Sequence, residues 1–369
     1  PFVLFYNEKK CEGVFVMEAL FSAVNAICGK IQIVSNWFWD FPTNLDWYAS
    51  IPVLGNFSLA IILLVGTGIY FTFKLRFVQV RKFKYGLQVL INSKSTTMGI
   101  SSLGAFLLST AMRVGPGNIL GVTGAISIGG PGALFWMWIA ALFGTATKYS
   151  ECLLAVKFRV VESDGHIVGG PFYYIEKGMG KKWRPLGQIF AFFGVGVGLL
   201  GIGTFTQING ITSAVNSFFD PANAWTVELF GNTYSWSVVI SGLLLTLCVA
   251  LVIIGGIKRI SSVAQVVVPF MAILYLVTVL IILLTHLTAI PAALAEIVQS
   301  AFGLRAVSGG AVGAIVVAMQ KGIARGIFSN EAGLGSAPIA AATAKTDSCS
   351  SSGSGACQAG TCFHDGNHD

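Results

Sequence analysis

The chain has 369 residues, of which 54% are hydrophobic and only 11% are charged, and its mean hydropathy is +0.75. A soluble protein of this length needs more polar surface, so the composition excludes that class and indicates a polytopic membrane protein. The net charge of +7 does not indicate nucleic-acid binding, because the basic residues cluster in short loops beside apolar stretches.

Seven apolar stretches, each long enough to cross a bilayer as a helix, follow one another along the chain. They are 51–73, 99–125, 132–158, 186–205 with a continuation to 215, 236–256, 263–284 and 312–340. Two weaker amphipathic stretches, 17–39 and 290–302, predict helices that lie at the membrane interface. We therefore expect an all-α polytopic membrane protein.

The distribution of basic residues predicts the orientation. The loop after the first stretch, KLRFVQVRKFKYGLQVLINSK, carries Lys and Arg but no acidic residue, and the positive-inside rule places it in the cytoplasm. The loop 164–184 is also basic and is expected inside. The loop 220–234 has no Lys or Arg and is expected outside.

The second apolar stretch is interrupted by RVGPGNILG at residues 113–121. In hydrocarbon a backbone can leave the helix only where protein or a watery cavity satisfies its amides and carbonyls, so such a break is typical of a binding site. Gly115 and Gly117 would let a ligand approach the main chain, and Pro116 lacks an amide. The alternative is a Gly/Pro kink that only packs helices.

The oxygens of this unwound segment suit a hard cation such as sodium. Val114 and Asn118 are the expected sodium ligands, and Asn118 can alternatively offer its amide to a carboxylate. A helix resuming at Ile119 would direct its N-terminal amides toward the carboxylate of a substrate.

The last apolar stretch contains a second break, RGIFSNEAGLGSAP, at residues 325–338. Paired breaks in two halves of a membrane protein are a sequence signature of the substrate site of a secondary transporter. Ser329 and Asn330 can form hydrogen bonds with a zwitterion, and Glu331 can bind its ammonium group.

Charged side chains beside the breaks need partners at membrane depth. Glu331 could instead pair with Arg325 or Lys321, which would make it a structural residue. Arg113 could pair with Glu151 or with a carboxylate ligand. The sequence leaves these alternatives open.

Three further residues are candidates for the substrate site. Gln207 and Asn209, in the segment TFTQING, place amides late in an apolar helix, where they either recognise a ligand or join helices by hydrogen bonds. Phe172, which follows Gly169 and Gly170, is either a gate or an interface anchor.

Four motifs occur in a fixed order along the chain: STAMRVGPGNILGVTGAISIGGPGALFWMWIAALFGTATKYSECLLAVKFR, GGPFYYIEKGMG, GGIKRISSVAQVVVPFMAILY and RGIFSNEAGLGSAPIAAATAKT. Over residues 47–346 the chain resembles the alanine/glycine:cation symporter family. The resemblance implies a leucine-transporter-like inverted-repeat fold, in which substrate and sodium bind between two broken helices and access alternates.

The resemblance therefore implies a multi-pass protein of the inner cell membrane that carries small neutral amino acids with sodium. Sodium is the coupling ion, no other cofactor is expected, and lipid is the surrounding partner. Motifs of hydrolases, zinc proteases and P-loop enzymes are absent from the sequence, so enzyme chemistry is not expected.

We divide the sequence into an N-terminal region 1–46 with a possible interfacial helix, a transmembrane domain 47–346 and a polar low-complexity tail 347–369. Counted on the inverted-repeat template, only the first helix of the second repeat precedes the tail. The alternative to a working symporter is thus an inactive membrane-inserted fragment of a decayed or truncated symporter gene.

Overall fold

A computed structural model describes residues 26, 29–30, 33–34, 36–51, 54–91, 106–107, 110, 115–163, 167–199, 204–229, 232–303 and 311–342. These residues are mostly helical, as the apolar periods predict. The helices are α1 Asp46–Ala49, α2 Leu59–Lys74, α3 Val78–Arg81, α4 Phe83–Ile91, α5 Pro116–Gly129, α6 Gly132–Lys157, α7 Pro171–Met179, α8 Arg184–Leu199, α9 Thr204–Phe219, α10 Trp236–Ile253, α11 Gly256–Thr285, α12 Ile290–Ala301, α13 Ala311–Asn330 and α14 Ser336–Ala342.

Two short antiparallel hairpins connect helices, and the sequence patterns did not predict them. Their strands are β1 Val160–Val161, β2 Ile167–Val168, β3 Thr226–Leu229 and β4 Asn232–Ser235. Val160 pairs with Val168 in the first hairpin, and Thr226 pairs with Ser235 in the second.

Seven membrane spans are expected from the sequence, and among the described residues two helices are long and apolar enough to cross a bilayer. They are α10 and residues Arg259–Thr285 of α11, and few or none of the residues in their most apolar stretches are buried. The other predicted spans correspond to helices that are shorter or that carry charged residues. α5, for example, has 14 residues and α8 has 16. Gly130 and Pro131 follow α5 directly, and both residue types favour the end of a helix.

The described residues divide into two compact units. One comprises those up to Ala60 with Phe205–Ala250, and the other comprises Ile61–Thr204 with those from Leu251 onward. The first unit contains most of α9 and α10 and the hairpin β3–β4. Both interrupted segments belong to the second unit.

In the second unit α6 is the central helix, with 26 residues. It runs parallel to α13 and continues alongside α14, so it lies beside both parts of the second interrupted segment. Contacts in chain order are Ala133 with Gly322, Ala140 with Gly326, Gly144 with Ala332, and Ala155 and Arg159 with the Gly169 and Ala342 region. Small residues allow this close approach, as is usual between helices in membranes.

The first unit holds a network centred on the buried carboxylate of Asp220, at the end of α9. It accepts hydrogen bonds from the Ser235 hydroxyl at 2.7 Å and from the amides of Ala224 at 2.8 Å and Trp225 at 3.2 Å. The Ser235 hydroxyl lowers the pKa of Asp220, against the opposing effect of burial, and the two amides lower it further. The charged carboxylate thus ties β4 to the end of α9.

We expect Asp220→Asn to destabilise the protein at neutral pH and to have little effect in acid. Because the folded-state pKa is lowered, the carboxylate stabilises the folded state above its unfolded pKa of about 3.9 and loses this contribution as the pH falls through the folded-state pKa. Thermal unfolding in detergent between about pH 7 and pH 3 measures the difference from the parent chain. Glu228→Gln, at an exposed position of β3, is the control. A difference for Asp220→Asn that does not change with pH contradicts the assignment.

Candidate functional site

The two interrupted segments belong to helices that pack side by side. A Cβ added to Gly121 of α5 would lie 2.6 Å from Nε of Arg325 on α13, and one added to Gly129 would lie 3.3 Å from Ala318 and Lys321. Residue numbers therefore rise along α5 while they fall along α13, so the helices are antiparallel. This register brings the N-terminal end of α5 level with the C-terminal end of α13.

The first break ends three residues earlier than expected. The helix predicted to resume at Ile119 begins at Pro116, and Gly115 before it is extended, with φ −169° and ψ 170°. Proline suits this first helical position because its φ is fixed and no amide is needed there. Gly117 is buried and Asn118 half-buried in the first turn. Val114, like Arg113, lies outside the described residues.

The main-chain amide of Asn118 already takes part in a hydrogen bond that closes this turn. It donates to the Gly115 carbonyl at 3.0 Å. The Gly115 carbonyl thus accepts one hydrogen bond within the turn, and its second lone pair is available in principle to a ligand. The Asn118 side chain is the group of this residue that a ligand could still reach.

The second break separates α13 from α14. Glu331 follows the last residue of α13 and has a positive φ of 51°, and the turn continues through Gly333 at φ 85° and Gly335 at φ 79°. Only glycine adopts such angles without strain. Near Gly335 lie the Phe190 ring of α8 and Pro171 of α7, so these two helices hold the far side of the break.

Both the main chain and the side chain of Glu331 have partners. Nζ of Lys148, on α6, donates to the Glu331 carbonyl at 2.8 Å, and the Ser336 hydroxyl donates to Oε2 of Glu331 at 3.2 Å. Within the described ranges Glu331 forms no ion pair with Arg325 or Lys321, the two cations considered from the sequence. Arg325 instead stacks over the Phe328 ring, 5.4 Å from its centroid.

The other polar candidates of this break stand beside α6. Ser329 and Asn330 are half-buried. Nδ2 of Asn330 lies 3.8 Å from the position that a Cβ on Gly144 would occupy. Both side chains therefore sit in the last turn of α13, next to the residue at which the helix ends.

Phe172 lies in an aromatic cluster on the α14 side of the second break. Its ring centroid is 4.9 Å from that of Tyr173 and 6.4 Å from that of Phe190. Since Phe190 also contacts Gly335, the half-buried Phe172 belongs to the packing around the turn. Its role as a gate stays a prediction.

Gln207 and Asn209 lie on α9, in the other unit. Gln207 is half-buried and Asn209 is exposed. The Asn209 carbonyl accepts a hydrogen bond from the Thr212 hydroxyl at 3.3 Å. Their assignment to the substrate site stays a prediction from the sequence.

Sequence reasoning missed Lys148 and Ser336. Lys148 is a cation in the middle of the predicted span 132–158, and an ionisable residue at membrane depth is by itself a signal of function. Ser336 lay within the quoted motif, but nothing in the sequence joined it to Glu331.

Glu151, about one turn after Lys148 on α6, interacts electrostatically with α7. Burial and the nearby Glu151 carboxylate raise the pKa of the Tyr174 hydroxyl on α7. The polar face of α6 thus extends from the second break toward the loop that precedes α7.

Comparison with known proteins identifies the family to which the sequence is similar. Residues 47–366 match the model of the sodium:alanine symporter family. The chain is 49% identical over 288 residues to an uncharacterized transporter of Haemophilus influenzae, which covers 78% of this chain and 59% of the relative. It is 42% identical over 313 residues to the sodium/alanine symporter AgcS of Methanococcus maripaludis, covering 82% and 64%.

The name of a third relative gives a different substrate, glutamine. The probable sodium/glutamine symporter GlnT of Bacillus subtilis is 42% identical over 292 residues, covering 78% of this chain and 56% of the relative. The chain thus spans about three fifths of the length of these curated relatives.

Proposed function

Since the chain belongs to the sodium:alanine symporter family, we propose that it carries out sodium-coupled transport of small neutral amino acids by alternating access in the inner membrane. The family is one of transporters, and its members are membrane proteins that use sodium. Alanine and glycine are the proposed substrates of this chain. The family name and the relative AgcS favour alanine, and the name of GlnT points to a larger side chain.

The observation that carries this proposal is the antiparallel register of α5 and α13. The N-terminal end of a helix carries a partial positive charge and the C-terminal end a partial negative charge. Here the positive end of α5 is level with the negative end of α13. An amino-acid zwitterion, with one carboxylate and one ammonium group, complements this pair of helix ends.

The proposed ligands follow from this polarity. At α5, Gly115, Gly117 and Asn118 would face the substrate carboxylate, and the Asn118 oxygen, with Val114, would serve sodium. At α13, Ser329, Asn330 and Glu331 would face the ammonium group. Phe172 would close the site from the side of α7.

Uptake by purified protein tests the proposal. Labelled alanine is offered to proteoliposomes that hold the chain, with and without an inward sodium gradient. A fusion that adds the parts of the Haemophilus influenzae relative not covered by this chain is measured beside it. Concentrative, sodium-dependent uptake by either protein supports the proposal. The absence of sodium-dependent uptake from both overturns it.

Asn118→Ala is expected to raise the sodium concentration that gives half-maximal uptake about ten-fold, the equivalent of about 1.4 kcal/mol, because one oxygen ligand is lost. The measurement is the sodium dependence of alanine uptake in whichever protein transports. Thr123→Ala is the matched control on the same helix, since the exposed Thr123 hydroxyl donates to the Ile119 and Leu120 carbonyls of its own helix. An unchanged sodium requirement in Asn118→Ala removes this residue from the site.

A further inference from the structure

Lys148 is a buried cation opposite the second break. Its relative exposure is 4%, and it lies near the middle of α6, within a span predicted to cross the membrane. Withdrawing an ammonium group from water is costly unless it is paired with negative charge or with oxygens. Lys148 donates to the Glu331 carbonyl at 2.8 Å.

This carbonyl belongs to the place where α13 stops. The last carbonyls of a helix have no amide four residues further on, and they form the negative end of the helix dipole. The positive φ of Glu331 turns the chain away from the helix. A cation at this position therefore stabilises the helix end.

The break near Lys148 is fixed by contacts with two elements, α6 and the start of α14. Gly144, one turn before it on the same face of α6, admits Ala332, whose Cβ lies 3.2 Å from the position of an added Cβ. Across the break, the Ser336 hydroxyl holds the Glu331 carboxylate. The main chain of Glu331 is thus fixed to α6 and its side chain to the start of α14.

We propose that Lys148 is a positioning residue of the substrate site, whose ammonium group fixes the Glu331 carbonyl and so keeps the break between α13 and α14 in its binding shape. This inference rests on the proposed function, because Ser329 and Asn330, the proposed substrate ligands, immediately precede the Glu331 carbonyl. Because the lysine is part of the chain, its ammonium group is present at this oxygen whether or not sodium or substrate is bound. The break therefore keeps its shape before sodium or substrate arrives.

Hydrogen exchange in sodium-free buffer tests the positioning role independently of transport. The amides of residues 331–336 in the purified chain are followed by mass spectrometry. We expect Lys148→Met to exchange them about ten-fold faster, because a charge-assisted hydrogen bond is lost. Lys148→Arg, which still donates, should keep the parent rate. Lys157→Met, an exposed lysine on the same helix, should also leave it unchanged.

Uptake kinetics give the second readout. In whichever protein transports, Lys148→Met should raise the alanine concentration for half-maximal uptake about ten-fold, with a smaller change in the maximal rate, and Lys148→Arg should restore it. A general loss of structure would lower the maximal rate of active protein instead. If Lys148→Met does not fold, Lys148→Gln, which removes the charge but keeps a polar side chain, takes its place with the same expectations.

The two readouts separate the two proposals. Unchanged exchange at residues 331–336 in the charge-removing variant overturns the positioning role, whatever the transport result. Faster exchange that arginine does not restore also overturns it, because that pattern indicates a packing defect. Faster exchange restored by arginine, in a protein without sodium-dependent uptake, supports the positioning role and counts against the proposed function.

Discussion

Gly322→Ala is expected to destabilise the protein by about 3 kcal/mol or more, at the top of the range for overpacked sites, because the new methyl group has no space. An added Cβ would meet the main-chain carbonyl of Ala133 and would lie 2.8 Å from Cβ of Trp136. Neither is the flexible end of a side chain, so α13 and α6 would have to move apart. Thermal unfolding of the purified protein in detergent measures the loss.

Gly313→Ala on the same helix is the matched control. Among the described residues no atom lies within 4 Å of a Cβ added there, so the change should raise helix stability by about 0.5 to 1 kcal/mol through propensity alone. The two substitutions are chemically identical and differ only in the space around them. Equal effects at both positions would show that α13 does not approach α6 as described.

Gly335→Ala is expected to combine backbone strain with a steric clash. At φ 79° an alanine is strained by about 1 to 2 kcal/mol, and its Cβ would lie 2.6 Å from the Phe190 ring and 2.9 Å from Cγ of Pro171. We expect a total loss of about 3 kcal/mol, read from the same unfolding measurement. Local exchange at the start of α14 should rise with it.

Gly256→Ala separates the two causes. Gly256, the first residue of α11, has φ 67°, but in the described part of the chain no atom lies within 4 Å of an added Cβ. Only the strain of about 1 to 2 kcal/mol therefore applies. The additional stability loss of Gly335→Ala over Gly256→Ala measures how tightly α7 and α8 pack against the break. If the two variants lose the same stability, that packing is not there.

The apolar periods located continuous helices well and interrupted ones less well. For α6 the predicted span 132–158 agrees with Gly132–Lys157 to within a residue, because nothing in it competes with helix formation. The stretch 312–340 was predicted as one span with a break, and the structure resolves it into α13 and α14. The hairpin β3–β4 was missed, and the hydrogen bond from Ser235 to Asp220 that ties β4 to the end of α9 joins residues 15 positions apart.

At the candidate site the sequence located the breaks but not what surrounds them. Glycine and proline mark positions where a helix stops, so both breaks were visible as patterns of residues. The partners of Glu331 were not, because Lys148 lies 183 positions away. Only the parallel course of α6 and α13 brings them together, and no local pattern encodes that course.

The unbroken course of α6 beside α13 and α14 decides what the interruption between them can do mechanically. A turn between two helices can bend only if the helices can move independently of each other. Here α13 and α14 both pack along the same continuous helix, α6. Bending at Glu331 would break the contact of Ala140 with Gly326 on the α13 side or that of Arg159 with Ala342 on the α14 side. We therefore expect the interruption to keep its shape, and α6, α13 and α14 to move as one body in any conformational change of the second unit.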